Sequence, residues 1–218
     1  MAGAGWSQWV EELEPPTFEP VTLDLARRHC RIDQDYDDDL LELYMAGARL
    51  KCEKYLDRAL VARKMQYNIT WSPPPTATPL VPQSLIVFPL NWPPLVKRPV
   101  ELPMAPLISV EEIRWGEVGD LKVADPDDYT VNNLVVPGYV AVKPQLLPRI
   151  PQQSMSIDYT GGWMKDADDS HRVPATIRIA ILMTTAWIYE GRGDVATEEI
   201  PTAALSLLNP YRLWSFAG

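Results

Sequence analysis

A chain of 218 residues fits one large domain or two small ones, and a hydrophobic fraction of 46% is enough for a real core. The formal charge of −9 excludes a protein that grips nucleic acid through its phosphates, because that affinity comes mostly from Lys and Arg. The start lacks the basic and apolar regions of an export signal, and the longest apolar stretch, Ile179 to Tyr189, is too short to span a bilayer, so a soluble chain made in a cytoplasm and without membrane contact is expected.

Residues 1–20 read as an N-terminal arm, with Trp6, Trp9 and Phe18 set among acids and prolines. Such aromatics either contact a neighbour or fold back on their own core. Thr22 is placed to cap a helix running to about Ile32, with Leu23, Ala26 and Cys30 on one face. Then comes "RIDQDYDDDL", residues 31–40. Asp33, Asp35 and Asp37 occupy positions one, three and five of an EF-hand, but position six is Asp38 and position twelve is Tyr44, where Gly and Glu are needed. The plainer reading is a helix start, with Asp35 or Asp37 capping free N–H groups and the other acids at the positive end of the dipole. A second helix is predicted from about Asp37 to Leu56, with Leu41, Met45, Ala48, Cys52 and Tyr55 spaced by three and four. Cys30 and Cys52, the two cysteines, both fall on helices and read as buried reduced thiols.

The period then changes from helix to strand. Met65, Tyr67, Ile69 and Trp71 alternate with Gln66, Asn68 and Thr70, as in a half-buried strand. Residues 73–106 are dense in proline, which confines them to loops with short edge strands such as "SLIVF". Further strands are predicted in "LISVEEIRW", "DYTVNN", "YVAVK" and "MSIDYT". Helix returns at "VPATIRIAILMTTAWIYEGR", with Pro174 at its start and Gly191 past its end. That helix is apolar nearly all round, which suggests a subunit interface. A last short helix starts at Thr202 and is stopped by Pro210.

The fold class expected is α+β: mainly a bundle of about four helices with a small antiparallel β subdomain inserted. The segments are an arm (1–20), helices one and two (21–62), a proline-rich β insertion (63–162), helices three and four (163–210) and a C-terminal docking tail (211–218). Chemistry is sparse. His29 sits in a helix without a partner, and His171 lies beside Asp166, Asp168 and Asp169. Those four could serve a metal-dependent hydrolase. The alternative is a solvated loop with acids near a helix start. The "RGD" at 192–194 and "NIT" at 68–70 match short motifs that recur by chance. No catalytic residue, cofactor or metal is expected, and the chain reads as a non-enzyme.

The order of the segments carries a resemblance. "VTLDLARRHCRID" precedes the acidic cap, "YLDRAL" (Tyr55 to Leu60) ends the second helix, "YTGG" (Tyr159 to Gly162) precedes the third, and "LSLLNPYR" (Leu205 to Arg212) lies near the end. Over about residues 21–212 this resembles the head–tail connector family of long-tailed phages, prophages and gene transfer agents. The proline-rich stretch, the arm and the tail after Arg212 depart from the shared pattern.

The resemblance implies a structural adaptor in the neck of a virion or phage-like particle, assembled in the host cytoplasm. It implies a ring, of twelve copies in the particle, lying beneath the portal protein and offering a platform to the next neck protein, the stopper. DNA would pass through the channel without specific binding, and an acidic lining suits that passage. The rival reading is another neck ring, a stopper or tail-completion protein. The tail is apolar apart from Arg212, so Tyr211, Arg212, Leu213, Trp214 and Phe216 are the expected portal contacts, with Trp6 and Trp9 as further neighbour contacts. The alternative is that the tail packs on its own subunit near Trp187.

Overall fold

The structure is a computed structural model and describes residues 5–72, 99–117, 119–143, 153–191 and 200–213. The fold is α+β, with four α-helices and two antiparallel sheets among the described residues. The chain divides into two compact units, each drawn from separate stretches of sequence. One comprises 1–14, 64–103 and 107–160, and the other 15–63, 104–106 and 161–218.

The first unit holds the strands. A five-stranded sheet has the order β1-β2-β8-β4-β5, formed by β1 (Gly5–Glu12), β2 (Arg63–Ser72), β8 (Gln153–Gly161), β4 (Leu107–Glu117) and β5 (Asp120–Val123). A three-stranded sheet has the order β3-β7-β6, from β3 (Val100–Glu101), β7 (Tyr139–Val142) and β6 (Tyr129–Asn132). The alternation read in β2 is real, since Met65, Tyr67 and Ile69 are buried. Its other face is not simply wet. Gln66 donates to Asp158 at 2.8 Å, and Thr70 bonds Ser154 at 3.0 Å across to β8. Cross-strand polar pairs of this kind hold register on the face away from the apolar one.

The expected N-terminal arm is instead an edge strand over 5–12, pairing antiparallel with β2 from Gly5↔Ser72 to Glu12↔Met65. The stretch "WSQWVEE" completes a ladder beside β2, and its backbone groups gain partners by doing so. The hairpin partner β5 escaped the sequence reading. "SLIVF" lies outside the described residues.

The second unit holds α1 (Leu23–Cys30), α2 (Asp38–Leu56), α3 (Ala175–Glu190) and α4 (Thr202–Leu208). Thr22 caps α1 as expected, accepting from the Leu25 N–H at 3.3 Å. The helix stops at Cys30, short of the expected Ile32, because Arg31 takes the left-handed conformation at φ 56°. The core of this unit joins Val21, Ala26, Leu41, Met45, Cys52 and Leu56 to Val173, Ile177, Ile181, Ala204 and Leu208. Cys52 lies against Thr184, and burial pushes its thiol up to about 12. Both cysteines are free, with Cys52 buried and Cys30 half-buried.

Candidate interaction surfaces

The acidic loop after α1 has a structural use for its carboxylates that differs from the one expected. Asp37 stands at the N-cap of α2, but its side chain makes no capping hydrogen bond. It accepts instead from the Tyr189 hydroxyl at 2.9 Å. Asp35 accepts from the Asp38 N–H at 3.2 Å through its backbone carbonyl, and its carboxylate lies near enough to Arg27 to favour the charged guanidinium. Asp38 pairs with Arg27 on α1. The carboxylates therefore tie α2 to α3 and α1, because a charged acceptor gains more from a fixed donor than from a fraying helix turn. Asp166 likewise receives the N–H groups of Asp168 and Asp169, both at 3.1 Å, and Asp169 pairs with Arg172. The side chain of His171 lies outside the described residues. Among the described residues no group of acids, histidines and cysteines has metal-holding geometry.

Three of the four motifs that carried the resemblance come together in space. From "YLDRAL", Arg58 lies over the Trp163 ring at 5.2 Å and donates to the Tyr211 carbonyl at 2.7 Å. Burial pushes the Arg58 guanidinium below its usual range. Tyr55 bonds the Asn209 side chain, and Arg212 stacks on the Tyr55 ring at 4.8 Å. Trp163 meets Tyr211 edge to face at 6.4 Å. Gly162, the last residue of "YTGG" and the neighbour of Trp163, allows the crossing beside them. At φ +142° it brings its backbone so close that a Cβ would sit 2.5 Å from the Val61 carbonyl group and the Ala62 nitrogen. The neighbouring Met164 carbonyl then accepts from the Ala62 N–H at 2.7 Å.

This latch alters the expected course of the C-terminus. Pro210 ends the α-helix, but the chain continues as a 3-10 turn over Asn209–Tyr211. Leu213 then donates its N–H to the Leu56 carbonyl at 3.0 Å. Tyr211, Arg212 and Leu213 are thus held on the protein's own helices. Trp214 and Phe216 lie outside the described residues.

A second anchor lies inside the helical unit. Glu53 is buried and receives Arg49 at 2.9 Å, Arg63 at 2.7 Å and the Leu60 N–H at 2.7 Å. Arg49 also reaches Glu19 at 2.8 Å, where burial pushes the Glu19 carboxyl up despite that partner. The segment before α1, α2 and the turn after α2 share one charge cluster. The sequence reading missed it. Its only signal was the i,i+4 spacing of Arg49 and Glu53.

Apolar surface remains in particular places. On β1, Trp9 is exposed, while the Trp6 side chain lies outside the described residues. The β6–β7 loop presents Leu134, Val135 and Val136, with Leu134 at 91% exposure. The Asn132 side chain fixes that loop by accepting from the Leu134 N–H at 3.0 Å. On α2, Leu43 and Leu50 are exposed. The all-round apolar α3, expected to seek a neighbour, covers most of itself. Ile177, Ala180 and Ile181 are buried, and Leu182, Met183 and Ile188 pack against the core, leaving Ile179 exposed.

Residues 20–87 match the sequence model of the family described as phage gp6-like head-tail connector protein. The fold is similar to chains of gene transfer agent (GTA) particles. One is from the neck of an empty GTA particle computed with C6 symmetry, with TM-score 0.66 and 18% identity, covering 96% of this chain and 98% of that one. A second is from the virion of a native GTA particle, with TM-score 0.65, 18% identity and the same coverage of 96% and 98%. A third is from the neck of a native GTA particle computed with C12 symmetry, with TM-score 0.58 and 19% identity, again covering 96% and 98%. At these identities the likeness is one of fold. No curated protein matches the chain.

Proposed function

We propose, from the place of residues 20–87 in the phage head–tail connector family, that this chain is a structural ring component in the neck of a phage-like particle. The family match is the observation that carries the reading. The shared fold with neck chains over 96% of this chain supports it. The ring lies beneath the portal, extends the DNA channel and seats the stopper. A chain of charge −9 suits a conduit, because like charge disfavours tight phosphate contact as DNA slides past. Nothing in this role requires a catalytic centre.

The portal contact is assigned to the end of the tail. The latch around Arg58 and Trp163 holds Tyr211 to Leu213, so the portal contact is assigned to the residues that follow them. Trp214 and Phe216 are the anchors, since buried aromatics dominate interface energetics. Trp6 and Trp9, on the edge strand β1, are assigned to a further neighbour.

The test is removal of this chain from cells that make the particle. Filled heads without tails should accumulate, and supplying the full chain should restore tails. Supplying a chain that lacks residues 214–218 should fold with unchanged melting temperature but fail to restore them. Heads that leak DNA while keeping a complete ring on the portal would point to a stopper instead. Normal tailed particles without the chain would overturn the reading.

A further inference from the structure

The ring reading demands two different faces on each subunit. A cyclic assembly is heterologous: one patch meets a different patch on the next copy. In a ring of about twelve copies those two patches look about 150° apart. Helices α1 and α2 supply such a pair.

On α2, Leu43 is 68% exposed and Leu50 is 51% exposed. With Ala46 and Gly47 they stand at i, i+3, i+4 and i+7, the four corners of a hole that receives one knob from a facing helix. Gly47 leaves the floor of that hole open, for a Cβ built there would meet nothing within 4 Å. Asp39 and Glu42 are exposed at the N-terminal end of the hole, and Lys54 is exposed at its C-terminal end.

On α1 the outer face centres on Leu25, which is 37% exposed. Asp24 lies on its N-terminal side, and Arg28, His29 and Arg31 lie on its C-terminal side, all exposed. Arg28 also pairs with Asp24 within the helix. Leu25 is one knob of the right size for the hole. Set antiparallel to α2, the basic end of α1 faces Asp39 and Glu42. Leu25 to His29 is about 6 Å along the axis, and the centre of the hole to Glu42 is about 7 Å.

Both faces turn away from the core. The buried residues mark the inner side of each helix, Ala26 on α1 and Leu41, Met45, Ala48 and Cys52 on α2. At about 100° per residue, Leu25 lies about 100° round α1 from Ala26, and Leu43 and Leu50 lie about 160–180° round α2 from its buried side.

We infer that Leu25 of one copy seats in the hole formed by Leu43, Ala46, Gly47 and Leu50 of the next, as the repeating contact of a ring. The occupant of the α2 seam is a second copy of this chain, bound through its α1 face. This rests on the ring reading above.

Cysteine cross-linking of the full chain tests it, in a Cys30→Ser background, with Cys52 left in place because it is buried. Leu25→Cys and Leu50→Cys variants are mixed and oxidised, both as concentrated purified protein and in cells producing particles. Cross-links should form between the two variants and not within either alone. The double variant should give a ladder of multimers that ends at a closed ring, and Glu42→Arg should reduce it several-fold. A ring found by native mass spectrometry without these cross-links would overturn the inference and leave the ring reading standing. A dimer joined through Leu43→Cys and Leu50→Cys would overturn it in favour of two-fold pairing of α2. No association in either setting would overturn both.

Discussion

Helix α3 is the more apolar of the two long helices and α2 the more charged, yet α2 carries the uncovered leucines. The sixteen residues of α3 hold almost no charge, and its apolar side chains are buried or partly buried apart from Ala175 and Ile179. Its two buried threonines spend their hydroxyls on their own helix, at 2.8 and 2.9 Å to the carbonyls of Ala180 and Ile181. On α2 one side is closed by core residues and the Glu53 cluster, while Leu43 and Leu50 face outward. Apolar composition measures how much surface a helix wants covered. It does not say whether the same chain supplies the cover. The better guide to an interface is an apolar residue that the fold leaves outside.

This contrast can be broken at several points. The largest effect is expected on the closed side of α2. Glu53→Ala leaves Arg49 and Arg63 buried without their shared carboxylate, and should cost about 4 kcal/mol in denaturant unfolding. A loss no larger than that of a surface substitution would show that the cluster is hydrated. Next comes α3, where Ile181→Ala should cost about 3 kcal/mol through the cavity it leaves. If α3 were really an uncovered interface helix, chemical denaturation of this variant would register little change.

Tyr189→Phe removes a hydrogen bond to a charged acceptor and should cost about 1.5 kcal/mol. Asp37→Ala should match it and, combined with it, add little more, because the two groups act as a pair. Full additivity in that cycle would mean that Asp37 serves the α2 terminus after all. The smallest effect is expected at the seam. Leu43→Ser with Leu50→Ser should change monomer stability by about 0.5 kcal/mol or less. The same change should weaken self-association measured by sedimentation. A large drop in melting temperature would place these leucines in the fold rather than on an interface.

Much of this was legible in the residues. Thr22, the spacing along α2 and the period-two pattern of β2 each follow from one local rule. The failures are of another kind. Strand β1 looked like an arm because "GWSQWVEE" has a strand pattern only in the presence of β2, which lies far along the chain. Strand β5, "DLKV", has no buried residue to betray it. The carboxylates of Asp37 and Asp38 were assigned to the nearest helix start, yet their partners are Tyr189 and Arg27. Sequence spacing cannot show a partner 152 residues away. The latch was half legible: its motifs were recognised in order, but their convergence on Arg58, Trp163 and Tyr211 needed the fold.

A cryo-electron microscopy reconstruction of the neck, from particles carrying an epitope-tagged copy of this chain, bears on the ring itself. It should show a cyclic ring of this chain in contact with the portal, with Leu25 of each copy beside Leu43 and Leu50 of the next. Tagged density elsewhere in the particle, or particles that carry no copy of the chain, would contradict it.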